Sequence, residues 1–143
     1  MNITKIIQIR FFENKIKQIH AVKMPKTIQK IPHDLPKLIT STKQMFEDTI
    51  SFNQDISSWN VSKVKNMSRM FAGAKAFDKN FFSWNVSNVT NMNYMFYGGL
   101  AFDQNLSAWN VKNVTTADEF ASKTIISNPI NKLPQWKDKN IKN

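Results

Sequence analysis

The chain has 143 residues, 41% hydrophobic and 12% aromatic, with three glycines and no cysteine. That is one domain's core plus tails, too apolar for a disordered polymer, and it excludes disulfides, thiolate nucleophiles, zinc–thiolate sites and a lipid-acceptor cysteine. The net charge of +10 is unevenly spread: residues 1–44 carry nine basic and two acidic side chains, 45–121 six and seven, and 122–143 five and one. Basic flanks around a neutral middle, with eighteen lysines to two arginines, disfavour bidentate readout of phosphate or guanine.

In chain order, Ile3–Phe12 and Lys15–Val22 are isoleucine-rich runs that meet at Glu13-Asn14 and predict a β-hairpin. The opening stretch MNITKIIQIRFFENK lacks the apolar core of a secretion signal, and no apolar run is long enough to span a bilayer. Pro25, Pro32 and Pro36 then predict an extended approach, because proline neither donates to a ladder nor continues a helix. Residues 1–44 are therefore assigned to an N-terminal β cap and lead-in.

From residue 45 to 121 the chain repeats with a period of 25. Phe52, Phe77 and Phe102 form one column; Ile56, Phe81 and Leu106 another; Trp59, Trp84 and Trp109 a third. Val61, Val86 and Val111 follow, then Val64, Val89 and Val114. MSRMF at 67–71 returns as MNYMF at 92–96, is foreshadowed by Gln44-Met45-Phe46 and decays to ADEFA at 117–121. A unit this short cannot bury its own apolar face, so neighbours must stack and share one core.

Ile56-Ser-Ser-Trp59-Asn-Val61 fits the short strand of a leucine-rich repeat, and Val64, Met67, Met70, Phe71, Ala74 and Phe77 step by a helical three or four. The expected architecture is an α/β, short right-handed leucine-rich-repeat-like solenoid of about three 25-residue coils with an N-terminal β-hairpin cap. Residues 122–143 are expected to form a degenerate last coil, with Trp136 plugging its end, and a frayed basic tail.

SFNQDISSWNVSKVKNMSRMFAGAKAFDKN and SWNVSNVTNMNYMFYGGLAFDQNLSAWNV resemble the BspA-like leucine-rich repeat in the form found among Mycoplasma surface proteins of unknown function. The lead-in MPKTIQKIPHDLPKLITSTKQMF is similar to the segment preceding such repeats, so the resemblance covers about residues 24–121. It implies a right-handed solenoid, often surface-displayed through a lipoprotein signal and linked to adhesion or host contact. This chain departs in having neither that signal nor the cysteine, and few repeats.

No residue constellation carries chemistry. His20 and His33 lack a carboxylate pair at ligand spacing, and no phosphate loop, nucleophile elbow or zinc pattern occurs. The column Asn53, Asp78, Asp103 invites a stacked calcium site, yet its turns lack the glycines of a calcium β-roll, and hydrogen bonding to backbone at bends is the simpler role. The triplets at Asn60, Asn85 and Asn88 are glycosylation-type by sequence but arise from the repeat. We therefore expect no enzyme, no metal and no cofactor.

The expected function is a non-enzymatic protein-interaction or surface-adhesion module whose partner is an unknown protein or cell-surface component. Its candidate surface is Ser58, Asn60, Ser62, Ser83, Asn85, Ser87, Ala108, Asn110 and Lys112, which alternate with an inward ladder of Trp59, Trp84, Trp109, Val61, Val86 and Val111. The alternatives are a salt-sensitive nucleic-acid or anionic-surface binder acting through the lysine-rich flanks, with nucleic acid the less favoured, or an inactive truncated family member. End-to-end self-association through imperfect caps stays open, as does location: the family suggests the cell surface, and the chain shows no signal for it.

Overall fold

The computed structural model describes residues 11–14, 17–128, 130–137 and 141. Among these, regular structure is confined to β1 (Phe11–Glu13), β2 (Ile19–Ala21) and single 3₁₀ turns at Ile125–Ser127 and Ile130–Lys132. β1 and β2 pair antiparallel with Phe12 opposite His20, so the predicted hairpin forms, though Ile3–Arg10 and Lys15-Ile16 lie outside the described residues.

The α/β leucine-rich-repeat-like solenoid does not form. No α-helix is found among the described residues, and the repeats are built from turns. The helix-like stripe from Val64 to Phe77 is a chain of separate turns: Met70, Ala72, Ala74 and Phe77 N–H groups each donate to the carbonyl three residues back. Between them the backbone enters the left-handed region at Arg69 (φ 56°) and Gly73 (φ 67°), which no right-handed helix passes through. Consecutive four-residue turns thus reproduce helical spacing without a helix. The expected strand at 56–61 fails for a related reason. Trp59 N–H closes a turn onto Ile56 O, and Ser62 N–H is held by Asn60 Oδ1, so the apolar-x-x-apolar-x-apolar pattern marks corners.

What the 25-residue period does produce is a register. Parallel bridges join His20 to Ser41, Ser41 to Asn66, Asn66 to Asn91 and Asn91 to Thr116, each a single contact and not a strand. Beyond each bridge, alternate N–H groups reach the next repeat: Met67, Arg69, Phe71 and Gly73 donate to Asn91, Asn93, Met95 and Tyr97 carbonyls at 2.8–2.9 Å. Thr42–Asp48 and Met92–Gly98 do the same one repeat before and after. Two left-handed columns recur in all four segments, Gln44/Arg69/Tyr94/Glu119 and Asp48/Gly73/Gly98/Lys123.

Inside, aromatic rings stack along the period. Phe71 lies 5.6 Å from Phe96 at 1° and Phe52 lies 5.7 Å from Phe77 at 3°, while Phe71 and Phe77 interleave at 4.3 Å. Methionines 45, 67, 70, 92 and 95 fill the remaining space and are fully buried. At the first segment, β2 docks by backbone bonds between Ile19 and Thr40–Ser41 and from Ala21 to Ser41 O, and Met24 N–H reaches Met45 O at 2.7 Å. At the last, Phe120 and Leu133 are buried and Trp136 packs against them in the core cluster.

Candidate interaction face

The nine positions singled out in the sequence lie at the surface: Ser58, Asn60, Ser83, Asn85, Ala108, Asn110 and Lys112 exposed, Ser62 and Ser87 half-buried. Their polar atoms are largely spent on the fold. Asn60 Oδ1 accepts from the N–H and Oγ of Ser62, and Asn85 Oδ1 from both groups of Ser87. Asn110 Oδ1 holds Lys112 N–H, while Ser62 O and Ser87 O accept from Asn88 and Asn113 of the following repeat. This column secures corners. Trp59, Trp84, Trp109, Val61, Val86 and Val111 are all buried, and Trp84 Nε1 donates to Ile56 O at 3.1 Å.

The column Asn53, Asp78, Asp103 works likewise. Asn53 Oδ1 accepts Asp78 N–H, Asp78 Oδ1 accepts Asp103 N–H and the Gln104 amide, and Asp103 ends on Lys132 Nζ. These oxygens bind backbone donors, the Gln104 side-chain amide and a lysine. The His33 ring meets Asp34 at the surface, and His20 stacks on Phe12 at 5.1 Å beside Asn14. Burial and the charge of Lys43 lower the His20 pKa.

A different cluster has the composition of a binding anchor. Arg69 projects from its left-handed position over the Tyr94 ring, 4.6 Å from guanidinium carbon to ring centre. Tyr94 meets Tyr97 edge-on at 5.6 Å, and Lys123 Nζ lies 4.8 Å over Tyr97. Its other end is a polar knot: Glu47 receives Lys23 at 2.7 Å, Gln44 at 2.8 Å and Arg69 at 3.5 Å. Burial pushes the Glu47 carboxyl up, but the hydrogen bonds from Lys23 and Gln44 and the charges of Lys23 and Arg69 outweigh it and hold the pKa below the ordinary value.

Arg69 is exposed and both tyrosines are half-buried, so planar faces are held in place yet reachable. Arginine and tyrosine are the side chains that dominate interface energetics. The sequence reading missed this face because it followed what repeats. The informative positions are those that vary between Met67 and Met70 and between Met92 and Met95 within otherwise repeated steps.

No curated protein and no solved structure matches the chain. Residues 14–142 match the family described as "Mycoplasma protein of unknown function, DUF285", spanning the hairpin's second strand, every stacked repeat and the C-terminal plug. The chain belongs to this Mycoplasma family of unknown function.

Proposed function

We propose that this protein is a non-enzymatic protein-interaction module, using the stacked repeats as a rigid rack and the Arg69–Tyr94–Tyr97–Lys123 cluster as its contact face. The carrying observation is the guanidinium laid over Tyr94 with Tyr97 edge-on beside it, both accessible, on backbone tied to its neighbours every second residue. Cation–π and edge-on aromatic contacts fix these side chains before a partner arrives, which lowers the entropy cost of binding. The face is small beside the roughly 800 Å² per partner of a standard interface, so contact is weak singly and strengthened by multiple copies. The resemblance of the repeats to BspA-like surface proteins supports a partner on a cell surface.

The test is binding of labelled full chain to intact cells, before and after their surface proteins are shaved by protease. Arg69→Ala and Tyr94→Ala should each lower binding to unshaved cells about tenfold, the scale of a hot-spot residue. Equal binding by wild type and both variants ends the proposal. The strongly basic flanks favour a second reading, an electrostatic binder. Under it, binding disappears between about 50 and 200 mM salt and on removal of the residues after Trp136, whatever stands at 69 and 94.

A further inference from the structure

The 25-residue register also lines up side chains that the core does not use. Ile50, Lys75, Leu100 and Ile125 occupy one column, and all four are exposed. The three aliphatics expose 56%, 60% and 52% of their surface, among the highest values for large apolar side chains of the described residues. Leu38 and Phe82 are as exposed, but they stand alone: their columns continue as Lys63 and Asn88, and as Ser57 and Ser107. Among the described residues, only the column of Ile50 repeats an exposed apolar tip in nearly every segment. Two residues before it runs the left-handed column Asp48/Gly73/Gly98/Lys123, so each tip sits just past a sharp bend.

Charge accompanies this ridge. Lys75 interrupts it and makes no ion pair among the described residues, and the column contains no acidic residue. Asp48, the acid nearest in sequence, lies 4.0 Å from Lys26, whose carbonyl holds Ile50 N–H. Lys123 lies two residues before Ile125, in the flank 122–143 that carries five basic side chains and one acidic.

We propose that the ridge Ile50–Lys75–Leu100–Ile125 docks on an anionic lipid bilayer surface. A single file of aliphatic tips is too narrow for a standard protein interface but suits insertion at the headgroup boundary, where lysine stems lie along the apolar layer and the ammonium groups meet lipid phosphates. Each lysine near such a surface adds attraction that an uncharged bilayer does not give. A second copy laid ridge to ridge fits worse, because it would cover Lys75 of both chains with aliphatics, and the carboxylate nearest in sequence, Asp48, already faces Lys26. Lys123 serves both surfaces, but the ridge uses neither Arg69 nor Tyr94, so Arg69→Ala and Tyr94→Ala test the one and the Leu100 and Ile125 substitutions the other.

The experiment is flotation of the full chain with vesicles of phosphatidylcholine alone and of phosphatidylcholine mixed with phosphatidylglycerol. The chain should float with the anionic vesicles and much less with the neutral ones. Leu100→Ser combined with Ile125→Ser should weaken anionic-vesicle binding at least about tenfold, since membrane affinity scales with inserted apolar area. Lys75→Glu should weaken it severalfold, and Phe82→Ser should leave it unchanged. All four positions are exposed, so thermal unfolding should stay near wild type and report that each variant folds. Failure to float with anionic vesicles overturns the proposal, as does equal flotation of wild type and the double variant. A dimer in sedimentation velocity that the double variant dissolves would assign the ridge to self-association and equally overturn it.

Discussion

Phe120 meets Trp136 edge to face, 5.1 Å between ring centres at 80°, and meets Phe96 edge-on at 86°, whereas Phe71 and Phe96 stack at 1°. The change of geometry follows from a one-residue shift. Met70 and Met95 precede Phe71 and Phe96, but in the last segment phenylalanine takes the methionine column at 120 and Ala121 the phenylalanine column. The ring turns across the end of the stack, and Trp136 closes over it.

Truncating that plug should expose the end of the core. Trp136 is half-buried, so Trp136→Ala should cost about 2 kcal/mol, below the range for a fully buried tryptophan. The check is the denaturant midpoint of the full chain. An unchanged midpoint would mean that Trp136 leaves no part of the stack exposed when removed.

Backbone hand separates two glycines that look alike. Gly73 and Gly98 both sit at φ +67°, so alanine at either should cost about 1 kcal/mol for the left-handed conformation. A Cβ at Gly98 meets nothing within 4 Å, while one at Gly73 would lie 2.7 Å from Asp48 Oδ1. Gly73→Ala should therefore be the costlier, and Asp48→Gly should recover the excess while itself relieving a left-handed non-glycine at φ 60°. Unfolding of the two single variants and the double variant measures this, and equal costs at 73 and 98 would mean that Asp48 swings away freely.

How much of this was legible before the structure depends on what a periodic pattern encodes. The register and the inward Trp and Val columns follow from spacing, because a 25-residue unit must stack on its neighbours to bury Phe52, Trp59 and Val61. The hairpin follows from its isoleucine-rich runs, but Glu13 pairs with Ile19 and the turn closes between Asn14 and Gln18 instead of at Glu13-Asn14. Secondary structure was not legible, since apolar steps of three and four fit chained turns as well as they fit a helix. Deciding between them needs the hand of Arg69 and Tyr94, and neither residue type advertises a positive φ. The contact face was hidden for the opposite reason: Arg69 and Tyr94 are where the repeat differs, and a search for columns discards differences.

Acid should loosen the Glu47 knot. Its folded pKa is depressed, so its contribution to stability is fully present above the unfolded value of 4.5 and is lost as pH falls through the lower folded value. Lowering the pH from 5 toward 3 should reduce wild-type stability more than that of Glu47→Gln. The comparison is the thermal midpoint of both chains across that window; parallel slopes would remove Glu47 as the source.

His20 titrates with the same sign in a higher window. Its lowered folded pKa means that the fold favours the neutral ring, so its contribution is present above the unfolded value of 6.5 and declines as pH falls through the folded one. Protonation places a second positive charge near Lys43 and across the bridge to Ser41, where β2 joins the first segment. Amide exchange at Ala21 and Met24, whose N–H groups bond Ser41 O and Met45 O, should quicken as the pH drops below 6.5 once the intrinsic pH dependence of exchange is divided out. His20→Gln should flatten that response.

The three tryptophans at 59, 84 and 109 differ in one atom's company. Trp84 Nε1 donates to Ile56 O, while Trp59 Nε1 and Trp109 Nε1 are buried with no hydrogen-bond partner among the described residues. Replacing any of them by phenylalanine removes similar volume and vacates similar space, so the packing losses should nearly cancel on comparison. What remains is the indole bond. Trp84→Phe breaks a made bond and leaves Ile56 O with the Trp59 N–H alone, whereas Trp59→Phe and Trp109→Phe delete a donor that was already unsatisfied, which relieves a penalty. Trp84→Phe should therefore cost about 1–2 kcal/mol more than either of the others. Denaturant unfolding of the three variants reads the difference directly; equal losses would place an equivalent acceptor beside all three indoles and make the column uniform in energy as well as in sequence.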